Sequence, residues 1–214
     1  MFFGIAFTFK AQAAFFAPVL FILWYNKKFS LLYFLIIPGI YLIAVLPAFF
    51  AGRGLLDLLT IYIWQSETYE DLNKNAPNIY AFISNRYYDT ILLPCLILAF
   101  AFMWLAIYFI IKKNRNISNE KWIEIIVFFL LFLPYILPKM HDRFFYPADT
   151  FSIIYAFYFV KRYYIAPLTI GGSLLVYPAL ISFPFEYGAV LTSYALFFML
   201  VFVFRRTGKN KNYS

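Results

Sequence analysis

One histidine, His141, and one cysteine, Cys95, stand among 214 residues. Charge is almost as scarce: Asp, Glu, Lys and Arg make up 13% of the chain, with 10 acidic residues against 18 basic ones. A lone cysteine excludes an internal disulfide, and Cys95, inside an apolar run, reads as a small core residue. Strands that alternate polar and apolar residues are missing too, which excludes a porin-type barrel. The net charge of +8 does not point to nucleic acid. Its Lys and Arg residues fall in short groups between apolar runs, as orientation signals do in membrane proteins. Lys10 follows the apolar stretch Phe2–Phe9, the reverse of the charge order in a signal peptide.

What is abundant is apolar surface. The chain is 64% hydrophobic with a mean hydropathy of +0.75, more than a single water-soluble core can hide. The apolar runs are continuous and roughly 17–25 residues long, the length of a spanning helix. In lipid each backbone polar group must be satisfied within its own segment. The expected fold is therefore all-α: one polytopic transmembrane helical bundle over residues 1–214, with one outer interfacial helix. Seven segments are expected: Ala11–Tyr25 (with Phe2–Phe9 as a half-helix), Leu31–Ala51, Thr90–Ile111, Trp122–Leu137, Phe145–Val160, Ile165–Phe183 and Tyr187–Phe204. Twelve of the 18 basic residues, from Lys27 and Lys28 to Lys209 and Lys211, fall on one side. That side should be cytoplasmic, with the C-terminus inside. Lys10, Arg53, Lys74, Arg86, Lys139 and Arg143 fall outside, with most of the acidic residues.

The largest outer piece is Gly52–Asp89. Arg53, Asp57 and Thr60 recur among leucines and isoleucines at helical spacing, which predicts a helix lying in the interface. Arg53 and Asp57 are spaced to pair. Asn73–Asn78, rich in Asn and containing Pro77, reads as an ordered turn loop. Tyr and Trp near the segment ends form the expected interfacial belt. Pro18, Pro38, Pro94, Pro134, Pro167 and Pro178 are expected to kink their helices, and Gly171-Gly172 to allow close helix contact.

Against this background, Lys139-Met140-His141-Asp142-Arg143 places four ionisable side chains in five positions between two apolar runs. Lys139 and Arg143 at a lipid boundary suit a phosphate or diphosphate, Arg through its two-pronged donor geometry. His141 can donate a hydrogen bond or carry a proton. Asp142 can orient a neighbour, and Asp149 complements a helix N-terminus. The plainer alternative is that Lys139 and Arg143 snorkel to water and Asp142 pairs with one of them. Lys10 and Gln12, at the outer end of the first segment, form a second candidate. A lysine among apolar residues should face a cavity or a phosphate, unless it is an ordinary helix-end lysine.

Three segments carry a resemblance. They are Gly4-Ile5-Ala6-Phe7-Thr8-Phe9-Lys10-Ala11-Gln12 with Pro18; Leu55-Leu56-Asp57 through Asn75-Ala76-Pro77-Asn78-Ile79-Tyr80; and Leu137-Pro138-Lys139-Met140-His141-Asp142-Arg143-Phe144-Phe145-Tyr146-Pro147-Ala148-Asp149. In order and spacing they resemble bacterial GT-C superfamily membrane glycosyltransferases, especially proteins related to GPI mannosyltransferase II. The resemblance implies transfer of a sugar, mannose-like, from a polyprenyl-phosphate donor at the outer face of the bacterial cytoplasmic membrane. The acceptor would be a lipid-linked glycan, a cell-wall polymer or a protein. Carried over, Lys139, His141, Arg143 and Lys10 would contact the donor phosphate, with Asp142, Gln12, Asp149, Asn75 and Asn78 in support. Two departures stand out. Family members more often have Glu where this chain has Asp142. They are also about twice as long, with the acidic catalytic base in an outer loop that precedes the region matched here. The expectation is thus a donor-side C-terminal portion with no assignable base, with pairing to a separately encoded N-terminal half as one alternative. No cofactor is assigned, although a divalent metal in the complete enzyme is compatible with the family. The rival expectation is a non-catalytic lipid-carrier-binding or transport subunit.

Overall fold

The computed structural model describes residues 1–113, 117–174, 197, 201 and 203–205. The chain is helical, with two membrane-length apolar helical stretches, Leu31–Phe50 and Asn85–Lys113. It divides into two compact units, Met1–Glu70 and Asp71–Ser214.

In the first unit α1 (Phe2–Phe9) packs on α3 (Ile36–Phe50). Gly4 permits this approach, because a Cβ there would come within 2.9 Å of Ile40 Cδ1. A 3₁₀ segment, Ala11–Phe16, leads into α2 (Ala17–Tyr25). The two make an apolar helix shorter than a crossing requires. The described residues bury none of α3, although it is apolar throughout. The expected interfacial helix is two short ones, α4 (Leu55–Leu59) and α5 (Ile61–Glu67), meeting at Thr60. Gly54, extended at ψ 136, starts α4 one residue beyond Arg53. Arg53 is therefore outside the helix, and the expected Arg53–Asp57 pair is not made. Tyrosines fasten the unit: Tyr62 Oη donates to the Phe7 and Thr8 carbonyls, and Tyr41 Oη to the Leu58 carbonyl.

In the second unit α6 (Tyr88–Lys113) and α8 (Tyr146–Tyr158) both contact α7 (Asn119–Ile136), and α9 (Ile165–Leu174) contacts α8. The core runs along α7, where Ile125, Val127, Phe129 and Leu131 are wholly buried. Its N-terminus is capped by the Ser118 side chain, which accepts from the Lys121 N–H. At 13 residues α8 is about 20 Å long at 1.5 Å per residue, short of a hydrocarbon core of roughly 30 Å. The expected fifth segment is thus only partly a continuous helix. The sixth is described as far as Leu174. The seventh, Tyr187–Phe204, lies outside the described residues apart from isolated positions, as does Pro178.

The prolines divide by position. Pro18, Pro38 and Pro167 sit in the first turns of α2, α3 and α9, where the missing N–H removes no bond internal to the α-helix. Pro94 and Pro134 lie inside α6 and α7, and Pro47 lies inside α3. Of the glycine pair, Gly171 has open space where a Cβ would stand, among the described residues, and Gly172 is buried.

Candidate functional site

The site is built where α7 ends. Leu137 turns extended, Pro138 offers no N–H, and Lys139 takes a left-handed backbone at φ 62. Met140–His141 then form a two-residue strand, β2, and Asp142–Phe145 a 3₁₀ turn into α8. The partner strand, β1, is Asn73–Lys74, paired in parallel with Asn73 opposite Met140 and Lys74 opposite His141. Asn75 follows at φ 63 and bridges back to His141. The short ladder is thus flanked by two left-handed residues. Asn adopts that region readily, whereas for Lys139 it costs about 1 kcal/mol.

Side-chain amides hold this unusual pairing together. Asn85 Oδ1 accepts from the Leu72 N–H at 3.0 Å, and its Nδ2 donates to Asp71 at 2.8 Å. Asn73 closes its own turn, accepting from the Ala76 N–H at 2.7 Å and donating to the Ala76 carbonyl. The Lys139 N–H donates to the Leu72 carbonyl at 2.7 Å. Asn78, fully buried, donates to the carbonyls of Pro134 and Leu137, while Tyr80 Oη donates to that of Ile136. These are carbonyls of the last turn of α7 and of its C-cap residue, Leu137, which have no partner inside the helix. The Asn-rich loop is therefore the C-terminal cap of the core helix.

The ionisable groups are distributed unevenly. Lys139 Nζ donates to Tyr88 Oη at 2.5 Å and lies 5.0 Å from the centroid of that ring. Asp142 Oδ1 accepts from the Arg143 backbone N–H at 2.8 Å. It forms no ion pair with Lys139 or Arg143, contrary to the plainer alternative above; the two ion pairs among the described residues both belong to Glu124. The Arg143 side chain is exposed and makes no ion pair there. His141 is partly buried, and its ring meets Phe144 edge-on at 5.5 Å. Burial lowers its pKa from 6.5, and the charges of Arg143 and Lys74 lower it further, against the opposing pull of Asp142 and Asp71. The neutral imidazole is therefore favoured at pH 7.

Asp149 lies in the first turn of α8 and accepts from Ser173 of α9 at 2.9 Å, so it joins two helices. Lys10 and Gln12 belong to the first unit. Lys10 is exposed at the end of α1; Gln12 is buried, and its Nε2 has no hydrogen-bond partner among the described residues. No group of three or more metal-ligating side chains occurs among the described residues.

Sequence reasoning missed three things here. It counted Lys74 only as an outer charge and Tyr88 only as part of an aromatic belt. It also passed over Glu124, which is buried and salt-bridged to Lys121 at 3.0 Å and to Arg162 at 2.5 Å; Arg162 in turn donates to Tyr155 Oη at 2.9 Å. A carboxylate inside an apolar helix was the available signal, since such a charge requires a partner.

The fold and the site define a helical protein with two apolar stretches of membrane-spanning length and a cationic loop pair at the end of its core helix. No family model, curated protein sequence or solved structure matches the chain. The GT-C resemblance thus rests on the three sequence segments that carry it.

Proposed function

We propose that the chain binds the phosphate end of a polyprenyl-phosphate-linked sugar donor, as the donor-side part of a GT-C-type, mannosyltransferase-like membrane glycosyltransferase. One observation carries this reading: β1 and β2 bring Lys74 and Asn75 against His141, next to an Arg143 guanidinium committed to no carboxylate. A neutral imidazole and a planar guanidinium are suited to a phosphate, and cationic groups here would steady the charge left on the departing lipid phosphate. The test is binding of polyprenyl phosphate to the purified chain in nanodiscs. Arg143→Ala should weaken it at least about tenfold. Unchanged affinity would remove Arg143 from the site, and no binding by the unsubstituted chain would end the reading.

The proposal includes seven membrane segments, Ala11–Tyr25 and α8 being lengthened by the helical turns beside them, an outer Lys139–Arg143 loop and a cytoplasmic C-terminus. Single-cysteine labelling in intact cells tests this arrangement. With Cys95 replaced by Ser, Met140→Cys should react with an impermeant maleimide and Lys113→Cys should not. The opposite pattern reverses the orientation.

A second reading, a lipid-carrier-binding or transport subunit, is favoured by how the local carboxylates are used. Asp142 is bonded to a backbone N–H and Asp71 to Asn85, so neither is held ready as a general base. Both readings predict donor binding. Only the enzyme reading predicts sugar transfer when the chain is reconstituted with a partner bearing an acidic outer loop, with that transfer lost in Arg143→Ala.

A further inference from the structure

Parallel pairing puts the side chains of directly opposed residues on the same side of a ladder, and successive residues on opposite sides. With Lys74 opposite His141 and Asn73 opposite Met140, Lys74 and His141 share one side, while Asn73 and Met140 take the other. The amide bonds of Asn73 and Asn85 described above fix this register, and Asn75 adds a second contact to His141. Arg143 follows His141 by two residues through the 3₁₀ turn. Two flexible or forked cations are thereby brought to one imidazole from separate segments of the chain.

We propose that Lys74 is a further phosphate-binding residue of this site, set beside His141 by the parallel strand pair, and that it makes the site prefer a phosphomonoester dianion to a phosphodiester monoanion. The inference rests on the donor-phosphate reading above. Its chemical basis is charge. A sugar-linked polyprenyl phosphate is a diester with one negative charge. The free polyprenyl phosphate left after transfer is a monoester carrying about 1.5 to 2 at neutral pH. A site with Lys74, Arg143 and a neutral imidazole donor has cations for both charges. The groups facing His141 are Arg143 and Lys74, which repel its proton, and Asp142 and Asp71, which attract it. The negative charge of a bound monoester opposes this repulsion, so binding should raise the His141 pKa.

The test uses the full chain in phosphatidylcholine nanodiscs with three probes: a short-chain polyprenyl monophosphate, its methyl diester and inorganic phosphate. Lys74→Ala should weaken monoester binding about tenfold more than diester binding, erasing the preference, and Lys74→Arg should restore it. Binding of inorganic phosphate with the same Lys74 dependence assigns the preference to the phosphate group itself; dependence on the lipid-linked monoester alone assigns it to the carrier. An NMR titration of the single histidine supplies the second readout. In the unliganded chain Lys74→Ala should raise the His141 pKa, and monoester should raise it in the unsubstituted chain. If monoester binds and Arg143→Ala weakens it, but Lys74→Ala changes neither the preference nor the titration, this inference is overturned and the donor-phosphate reading stands. If the unsubstituted chain binds no probe, both fall.

Discussion

Two charged clusters stand at opposite ends of α7, and the same core helix treats them differently. At its N-terminal end Glu124 is buried and shared between Lys121 and Arg162, with Tyr155 completing the network. At its C-terminal end Lys139, Asp142 and Arg143 form no ion pair among the described residues, and the backbone that carries them passes through the left-handed region. The first arrangement satisfies its charges internally, so it serves the fold. The second sets the charges of Arg143 and Lys74 beside the His141 imidazole, while Lys139 is held by the Tyr88 hydroxyl. Pairing to a shared buried carboxylate therefore separates the structural cluster from the candidate binding one, although the two have similar composition.

The comparison can be broken most directly at Glu124. Glu124→Ala strands the Arg162 guanidinium, which is 14% exposed, and should destabilise the protein by about 3 kcal/mol, as the loss of one partner of a buried pair does. Chemical unfolding in detergent measures it, and a loss under about 1 kcal/mol would reduce the network to an ordinary surface pair. Asn78→Ala comes next. It removes the donor to two α7 carbonyls and should cost about 2 kcal/mol, with faster amide exchange at the end of α7. Arg143→Ala should stay within about 0.5 kcal/mol of the parent in the same unfolding experiment while losing phosphate affinity. A large stability loss would make the outer cluster structural after all.

Smaller effects sharpen the contrast. Lys139→Gly should be more stable than Lys139→Ala by about 1 kcal/mol, because glycine holds a positive φ without penalty. Equal stabilities would mean that the left-handed turn relaxes. The smallest effect is in pH. His141 is depressed below 6.5 in the folded state, so the unfolded chain binds its proton first as pH falls. Its contribution is complete above 6.5 and is lost as pH drops through 6.5 toward the folded value. His141→Asn should flatten that part of the stability profile, and an unchanged slope would exclude His141 as its source.

Much of this architecture was legible in advance. Long apolar runs predicted helices at Leu31–Ala51, Thr90–Ile111 and Trp122–Leu137, and helices are found there. The ends were less legible: the interfacial helix breaks at Thr60, and several prolines begin helices that they were expected to bend. Helix starts depend on which N–H groups already lack partners, and periodicity does not reveal that. In the site, the charge anomaly at Lys139–Arg143 was visible. The roles of its neighbours were not: Asn78 caps a helix, Tyr88 holds Lys139, and Asp142 turns to the backbone.

Sequence alone determined that the chain is helical and apolar, and that one histidine sits among cations between two apolar segments. Both follow from local chemistry, since burying a backbone in an apolar run requires its hydrogen bonds to be made within the run. Tertiary structure alone decided which charges were neutralised and which were not. Lys74 reaches His141, and Arg162 reaches Glu124, only because segments remote in sequence are brought together by the capping of α7 and its contact with α8. Those partnerships depend on distances of a few ångströms across the fold, which no spacing along the chain encodes.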